Sequence, residues 1–419
     1  MKRFSAIAFI LLIFLAQTQA QLVRSDEFHK KYTLAEVVVF SRHNIRAPLS
    51  RSSSIMTQIT PYKWHSFGVP TQDLTMKGGV LETINGQFFH QWLVKEGLFA
   101  EDAVPTDEEV YFLANSKQRT IATARYFASG FMPMQTFKVN HVGKIGDSDP
   151  NFSMNLNSDL TKSDWKQIKH EYDSICANNY CFNYCKALKP SFDLLSDVID
   201  MKDSKAYKDG SFKGFNNYNS QILYGSGKEP VIDGSLNDAS NVADALVLQY
   251  YEDPDSMAAS FGKKLTNNQW KIIAKLIHDR DALRFSSPFV QRYVSKHQRE
   301  LLAEELQKKD RKFFYMCGHD TNILNILAAL KVVPYDLPEA IESGTPIGTK
   351  IVFEKWKDAD GKEYVAVNHV YQTLSELRHN TMLNDTVRPC VIPLQFVGMT
   401  QNADGLYTLE DMLNRLTLK

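Results

Sequence analysis

Three short apolar runs, rich in β-branched and aromatic residues, each end on a charged motif. Val37-Val38-Val39-Phe40 has the unbroken apolar character of a strand buried on both faces, and Arg42-His43-Asn44-Ile45-Arg46-Ala47-Pro48 comes just after it. Glu109-Val110-Tyr111-Phe112-Leu113 repeats the arrangement. It runs into Ala114-Asn115-Ser116 and a helical pattern over residues 118–127, which places Arg119 near a helix start. Phe313-Phe314-Tyr315-Met316-Cys317 ends at Gly318-His319-Asp320 and passes into a helix with apolar positions Ile323, Ile326, Leu327 and Leu330. Ligands of open α/β sheets bind beyond the carboxyl ends of parallel strands, so three motifs far apart in sequence are expected to meet in one crevice.

Elsewhere the pattern changes. Over residues 146–289 the chain is more polar and richer in helix signals, interrupted by loop chemistry such as Tyr224-Gly225-Ser226-Gly227. Residues 350–356 and 364–371 read as two strands joined by a hairpin turn at Asp358-Ala359-Asp360-Gly361, and Thr408 is placed to cap a last helix. The predicted fold is α/β: a core from residues 21–145 and 290–419 with a mainly parallel sheet flanked by helices, and a smaller, mainly helical cap from 146–289. No internal repeat or low-complexity tract is present.

Met1, Lys2 and Arg3, an apolar stretch over residues 7–15 and the small residues of Thr18-Gln19-Ala20 have the form of a cleaved export signal over residues 1–20. No later stretch approaches the roughly 20 apolar residues that cross a bilayer. The expectation is a periplasmic or secreted protein without a membrane anchor. Lysine plus arginine and aspartate plus glutamate number 48 each, so whole-chain charge offers no footprint for nucleic acid or membrane surfaces. Five cysteines stand at Cys176, Cys181, Cys185, Cys317 and Cys390. At least one disulfide is expected in an exported chain, the close-set three being its source, with the pairing open.

The chemistry concentrates on Arg42-His43-Asn44-Ile45-Arg46. An imidazole between two guanidinium groups offers a nucleophile beside two planar anion receptors, suited to a phosphoryl group whose charge otherwise repels attack. Arg119 supplies a third guanidinium, His319 a donor to a phosphoryl oxygen, and Asp320 a proton for the leaving alkoxide. A free aspartate titrates near ~3.9, so a protonated donor is more available in acid and an acidic optimum is expected. No residue set calls for a metal or another cofactor. His65 and His90 are isolated and receive no role, and Cys317 reads as a buried strand residue.

These residues resemble the histidine acid phosphatases, in the branch containing bacterial phytases and periplasmic glucose-1-phosphatases, which carry R-H-G-x-R-x-P early and H-D late. Here Asn44 replaces the glycine, and R-H-N-x-R-A-P-L is similar to the glucose-1-phosphatase version. Leu74-Thr75-Met76-Lys77-Gly78-Gly79-Val80-Leu81-Glu82, Leu248-Gln249-Tyr250-Tyr251-Glu252 and Thr345-Pro346-Ile347-Gly348 extend the resemblance along nearly the whole chain. It implies a phosphoglycerate-mutase-like core, His43 as nucleophile, Asp320 as donor, a phosphate pocket of Arg42, Arg46, Arg119 and His319, and Glu229 as a sugar contact from the cap. The expected partner is a small phosphate monoester, with glucose 1-phosphate favoured. Phytase activity is the alternative within the same chemistry, and a non-catalytic phosphate-ester binding protein is the alternative outside it.

Overall fold

The computed structural model describes residues 22–49 and 55–418, so the export signal expected over residues 1–20 lies outside the described residues. Ten strands form among them: β1 Tyr32–Arg42, β2 Val110–Ala114, β3 Val139–Asn140, β4 Gln221–Leu223, β5 Val231–Asp233, β6 Phe313–Gly318, β7 Lys350–Asp358, β8 Glu363–Tyr371, β9 Cys390–Pro393 and β10 Tyr407–Thr408. Eight of them make one sheet in the order β10-β8-β7-β1-β6-β2-β3, with β9 also paired to β8. The four strands from β1 to β3 in that order are mutually parallel, and β7 to β10 extend the sheet by antiparallel pairing.

Side-chain alternation assigns the two faces. Val37 and Val39 of β1 pack with Phe313, Tyr315 and Cys317 of β6 on one side, while Val38 and Phe40 pack with Phe314 and Met316 on the other. Burial on both faces is what selected apolar residues at every position of these runs. Helices α1 (Met76–Lys95) and α2 (Gln118–Phe131) cover the first face. They approach backbone to backbone: a Cβ at Gly86 would lie 2.1 Å from the Phe127 carbonyl, and one at Gly130 2.1 Å from that of Thr83.

Between β3 and β6 the chain is mostly helical, apart from the small β4–β5 ribbon. Its longest helices, α3 (Ser235–Glu252) and α4 (Asn267–Arg284), bury Leu246, Trp270 and Ile273 in a core that also takes in Ile45 and Leu81 from the sheet side. On the second face of the sheet lie α5 (Lys296–Leu306), α6 (Asp320–Ala329) and α7 (Leu409–Leu416), the last capped by Thr408 as expected. Cys176 and Cys181 form a disulfide, and Cys185, Cys317 and Cys390 are free thiols. No helix among the described residues is long and apolar enough to cross a membrane.

Candidate active site

Register brings the motifs together. Arg42 is opposite Gly318 across β1 and β6, and Ala114 is opposite Cys317 across β2 and β6, so three parallel strands end almost flush. The ladder runs one residue further, His43 N–H donating to the Gly318 carbonyl at 3.1 Å, while Arg42 N–H donates to Thr349 O at 2.9 Å. His43 is 2% exposed. Its Nδ1 lies 2.9 Å from the Asn44 carbonyl, which can only accept, so Nδ1 carries the proton and Nε2 keeps its lone pair. Burial, reinforced by Arg119, His319, Arg46 and Arg42, holds this imidazole well below its ordinary pKa of 6.5.

Around it stand the guanidinium groups. Arg42 donates from Nη1 to Glu342 Oε1 at 2.8 Å and to the Thr345 carbonyl at 2.5 Å, and its Nη2 is 3.1 Å from Asp320 Oδ2. Burial disfavours its charge, but Glu342 and Asp320 outweigh that and raise its pKa. Arg46 grips Asp244 of α3 with Nη2 at 3.1 Å from each carboxylate oxygen. Arg119, in the first turn of α2, is pulled down to about 10 by burial and by Arg46, and reaches within 3.4 Å of His319 Nδ1. The Nε–H groups of Arg42, Arg46 and Arg119 are each buried without a hydrogen-bond partner. Three such donors in one neighbourhood carry an unmet desolvation cost that a multidentate anion can relieve.

Gly318 leads into α6, which places His319 and Asp320 at a helix start. Asn115, at the end of β2, fixes the His319 ring with its amide nitrogen 2.8 Å from Nε2. Burial and Arg119 push this imidazole well below its ordinary value, against Asp320. For Asp320, burial raises the pKa, but Arg42, His319, the Thr321 N–H and Arg46 together hold the carboxyl below its usual range. His43, Arg46, Arg119, His319 and Asp320 open onto a cleft of about 480 Å³.

The far wall of that cleft comes from the helical segment and includes Glu229, Arg280 and Arg284. Glu229 is half-buried and forms an ion pair with Arg284, so it stands on the cleft as a paired carboxylate. Burial raises its pKa and Arg284 opposes the shift. Arg284 also donates from Nε to Pro230 O at 2.9 Å. Arg280 is held through Nε and Nη2 on the Asp281 carboxylate at 3.1 and 3.2 Å.

Residues 33–372 match the model of the histidine phosphatase superfamily, branch 2. The chain belongs to that family. This histidine phosphatase is 31% identical over 398 residues to the glucose-1-phosphatase of Salmonella typhimurium, covering 94% of each chain. It is 26% identical over 420 residues to the phytase AppA of Escherichia coli, covering 96% of this chain and 95% of that one. Its fold matches that of the phytase from Citrobacter braakii with a TM-score of 0.83 at 24% identity, over 92% of this chain and 97% of the other.

Within the histidine phosphatase site, all seven residues singled out in the sequence border the cleft or contact residues that do. The sequence did not reveal Asp244, Glu342, Arg280 or Arg284. Asp244 carried a usable signal, because it interrupts the apolar stretch Val242-Ala243-Asp244-Ala245-Leu246, and a buried carboxylate needs a partner. Glu342 lies in a loop with no periodicity to mark it. Arg280 and Arg284 are one helical turn apart, a spacing shared by many solvated helix faces.

Proposed function

We propose that this phosphatase hydrolyses sugar phosphates, glucose 1-phosphate above others, through a phosphohistidine on Nε2 of His43. The observation carrying this reading is the state of that imidazole: its Nδ1 proton is committed to Asn44 O, and its burial among guanidinium groups keeps it neutral in acid.

A phosphate monoester enters as a monoanion at acidic pH. Its oxygens take over from Asp320 as counter-charge to Arg42, Arg46 and Arg119, which removes the influence that holds the Asp320 carboxyl ionised. The carboxylate then accepts the proton the substrate brought. Nε2 attacks phosphorus, the phosphorus–oxygen ester bond breaks, and Asp320 delivers its proton to the departing alkoxide, releasing the alcohol. The phosphorylated ring carries a positive charge that the Asn44 carbonyl stabilises at Nδ1. Water next attacks phosphorus, Asp320 takes its proton, the nitrogen–phosphorus bond breaks to restore neutral His43, and Asp320 returns the proton to inorganic phosphate, which leaves as the monoanion.

Preference for a sugar is supported by the cap wall. Arg280 and Arg284 already have carboxylate partners, so they offer little free charge to further phosphates, whereas the half-buried Glu229 can accept from a sugar hydroxyl. The higher identity to a glucose-1-phosphatase than to a phytase points the same way. The phytase reading draws on the number of cationic groups around the cleft, Lys117 included. Export to an oxidising compartment is supported by the amino-terminal sequence and the Cys176–Cys181 disulfide.

The test is phosphate release from glucose 1-phosphate, phytate and an aryl phosphate at acidic pH with chelator present, for the wild type and His43→Ala. His43-dependent release favouring glucose 1-phosphate supports the reading. Preference for phytate reassigns the cap, and no release from any of the three leaves a phosphate-ester binding protein.

A further inference from the structure

Asn44 stands where the related motif has glycine, and both ends of its side-chain amide are hydrogen-bonded. Its Nδ2 donates to Glu82 Oε1 at 2.7 Å, its Oδ1 accepts from Ile45 N–H at 2.8 Å, and its own N–H donates to Thr123 Oγ1 at 3.1 Å. Glu82, on α1, has no exposed surface. It pairs at 3.1 Å with Lys350, 1% exposed, which in turn donates to Gly348 O at 2.8 Å. Gly348 has φ +68° and sits so near that a Cβ there would come within 2.5 Å of Asn44 Nδ2. Its N–H donates to the His43 carbonyl at 3.2 Å. Three sequence segments, ending in Glu82, around Asn44 and from Gly348 to Lys350, thus close on the peptide that follows His43.

We infer that Asn44 is a positioning residue for His43, clamped by the buried Glu82–Lys350 pair so that its carbonyl is held against Nδ1. The inference rests on the phosphohistidine reading above. A glycine in this place loses the Oδ1 tie on the Ile45 N–H, which loosens the peptide whose carbonyl meets Nδ1. The Asn44 amide, fixed at both its oxygen and its nitrogen, removes that freedom and holds the 2.9 Å contact that selects the Nδ1–H tautomer. Nε2 is then unprotonated and aimed in one direction, which matters because small misplacements of a nucleophile cost large factors in rate.

The test compares wild type, whose turnover is first shown to depend on His43, with Asn44→Gly, with Glu82→Leu/Lys350→Met, and with all three changes together. The double variant removes acceptor and lysine at once, leaving no buried charge unpaired. Measured are kcat/KM for an aryl phosphate, the inhibition constant of inorganic phosphate, and the His43 ring tautomer from its nitrogen NMR shifts. Asn44→Gly is expected to lower kcat/KM on the order of tenfold, with phosphate inhibition within about twofold of wild type and the tautomer mixed. Glu82→Leu/Lys350→Met should reproduce that loss, and adding Asn44→Gly to it should cost nothing more, as for groups acting as one unit. Additive losses, an unchanged kcat/KM and tautomer, or a fall in phosphate affinity equal to the fall in turnover overturn the inference. If Asn44→Gly does not fold, Asn44→Ser is read in the same way. Wild-type turnover independent of His43 sinks the functional reading instead, before any of these variants is compared.

Discussion

Asp320 Oδ2 lies 3.1 Å from Arg42 Nη2, within a site where Arg42 is also fastened by Glu342 at 2.8 Å. The proposed proton donor is therefore the counter-ion of the proposed phosphate receptor while the cleft is empty. Its ionised form is favoured until an anion arrives, which couples protonation of the donor to occupancy of the pocket.

Asp320→Asn keeps the size of the side chain and loses the transferable proton. Turnover of alkyl phosphates should fall by about 10²- to 10⁴-fold, the range for losing a general acid, while activated aryl phosphates lose far less in phosphohistidine formation. Burst kinetics with a nitrophenyl ester check this. Equal loss for both leaving groups removes Asp320 from the donor role.

Asp244 holds Arg46 with both carboxylate oxygens at 3.1 Å, yet it also places negative charge beside the phosphate pocket. Asp244→Ala should cost about 3 kcal/mol of stability, as when one partner of a buried pair is removed. Inorganic phosphate should restore much of that loss, because it takes up the freed guanidinium. Thermal melts with and without phosphate decide it; a variant destabilised equally in both places Arg46 outside the anion site.

Buried His43 starts from an unfolded value of 6.5 and is pushed down in the folded protein, so its neutral form persists into acid. Phosphohistidine formation from an aryl ester should not fall between about pH 6.5 and 5, as it would for an imidazole of ordinary pKa. The stability term has the opposite sense. A depressed folded pKa contributes stability that is present above the unfolded value and lost as pH falls, so His43→Gln should gain on wild type in melting temperature below about pH 6.5. A rate that halves near pH 6.5 contradicts the neutral nucleophile.

Glu229 is paired with Arg284 and lines the same cleft as Arg46 and Arg119. Glu229→Ala should lower kcat/KM for glucose 1-phosphate by about tenfold, the scale of one lost hydrogen bond to a charged group, and leave aryl phosphate within about twofold. Parallel loss on both substrates makes Glu229 a support for the cleft wall and not a sugar contact.

The strand-end motifs were readable because burial on both faces forces continuous apolar runs, against which Arg42-His43, Arg119 and His319-Asp320 stand out. Flush register then did the rest, with Arg42 opposite Gly318. Their supports were hidden for a physical reason. Arg42 and Glu342 are 300 residues apart and Arg46 and Asp244 are 198, and nothing local to either carboxylate announces a guanidinium so distant in sequence. Asn44 is the mixed case: it was visible as a departure from glycine, but its tie to Glu82 and Lys350 exists only in three dimensions.

Strand β1 is synthesised early and paired late. Both its edges are occupied by residues from the last part of the chain, β6 on one side and β7 on the other, so the segment bearing Arg42 has no neighbours in the sheet until some three-quarters of the protein has left the ribosome. Contacts of such long range form slowly and only once the intervening chain is in place. A nascent polypeptide therefore carries Arg42, His43, Arg46 and Arg119 without the strand they line up against or the His319 and Asp320 that follow it, and truncation before residue 313 is expected to leave no phosphatase. Under the export proposed above, in which the chain crosses a membrane before it folds, that delay would keep the activity off the esters of the compartment where it is made.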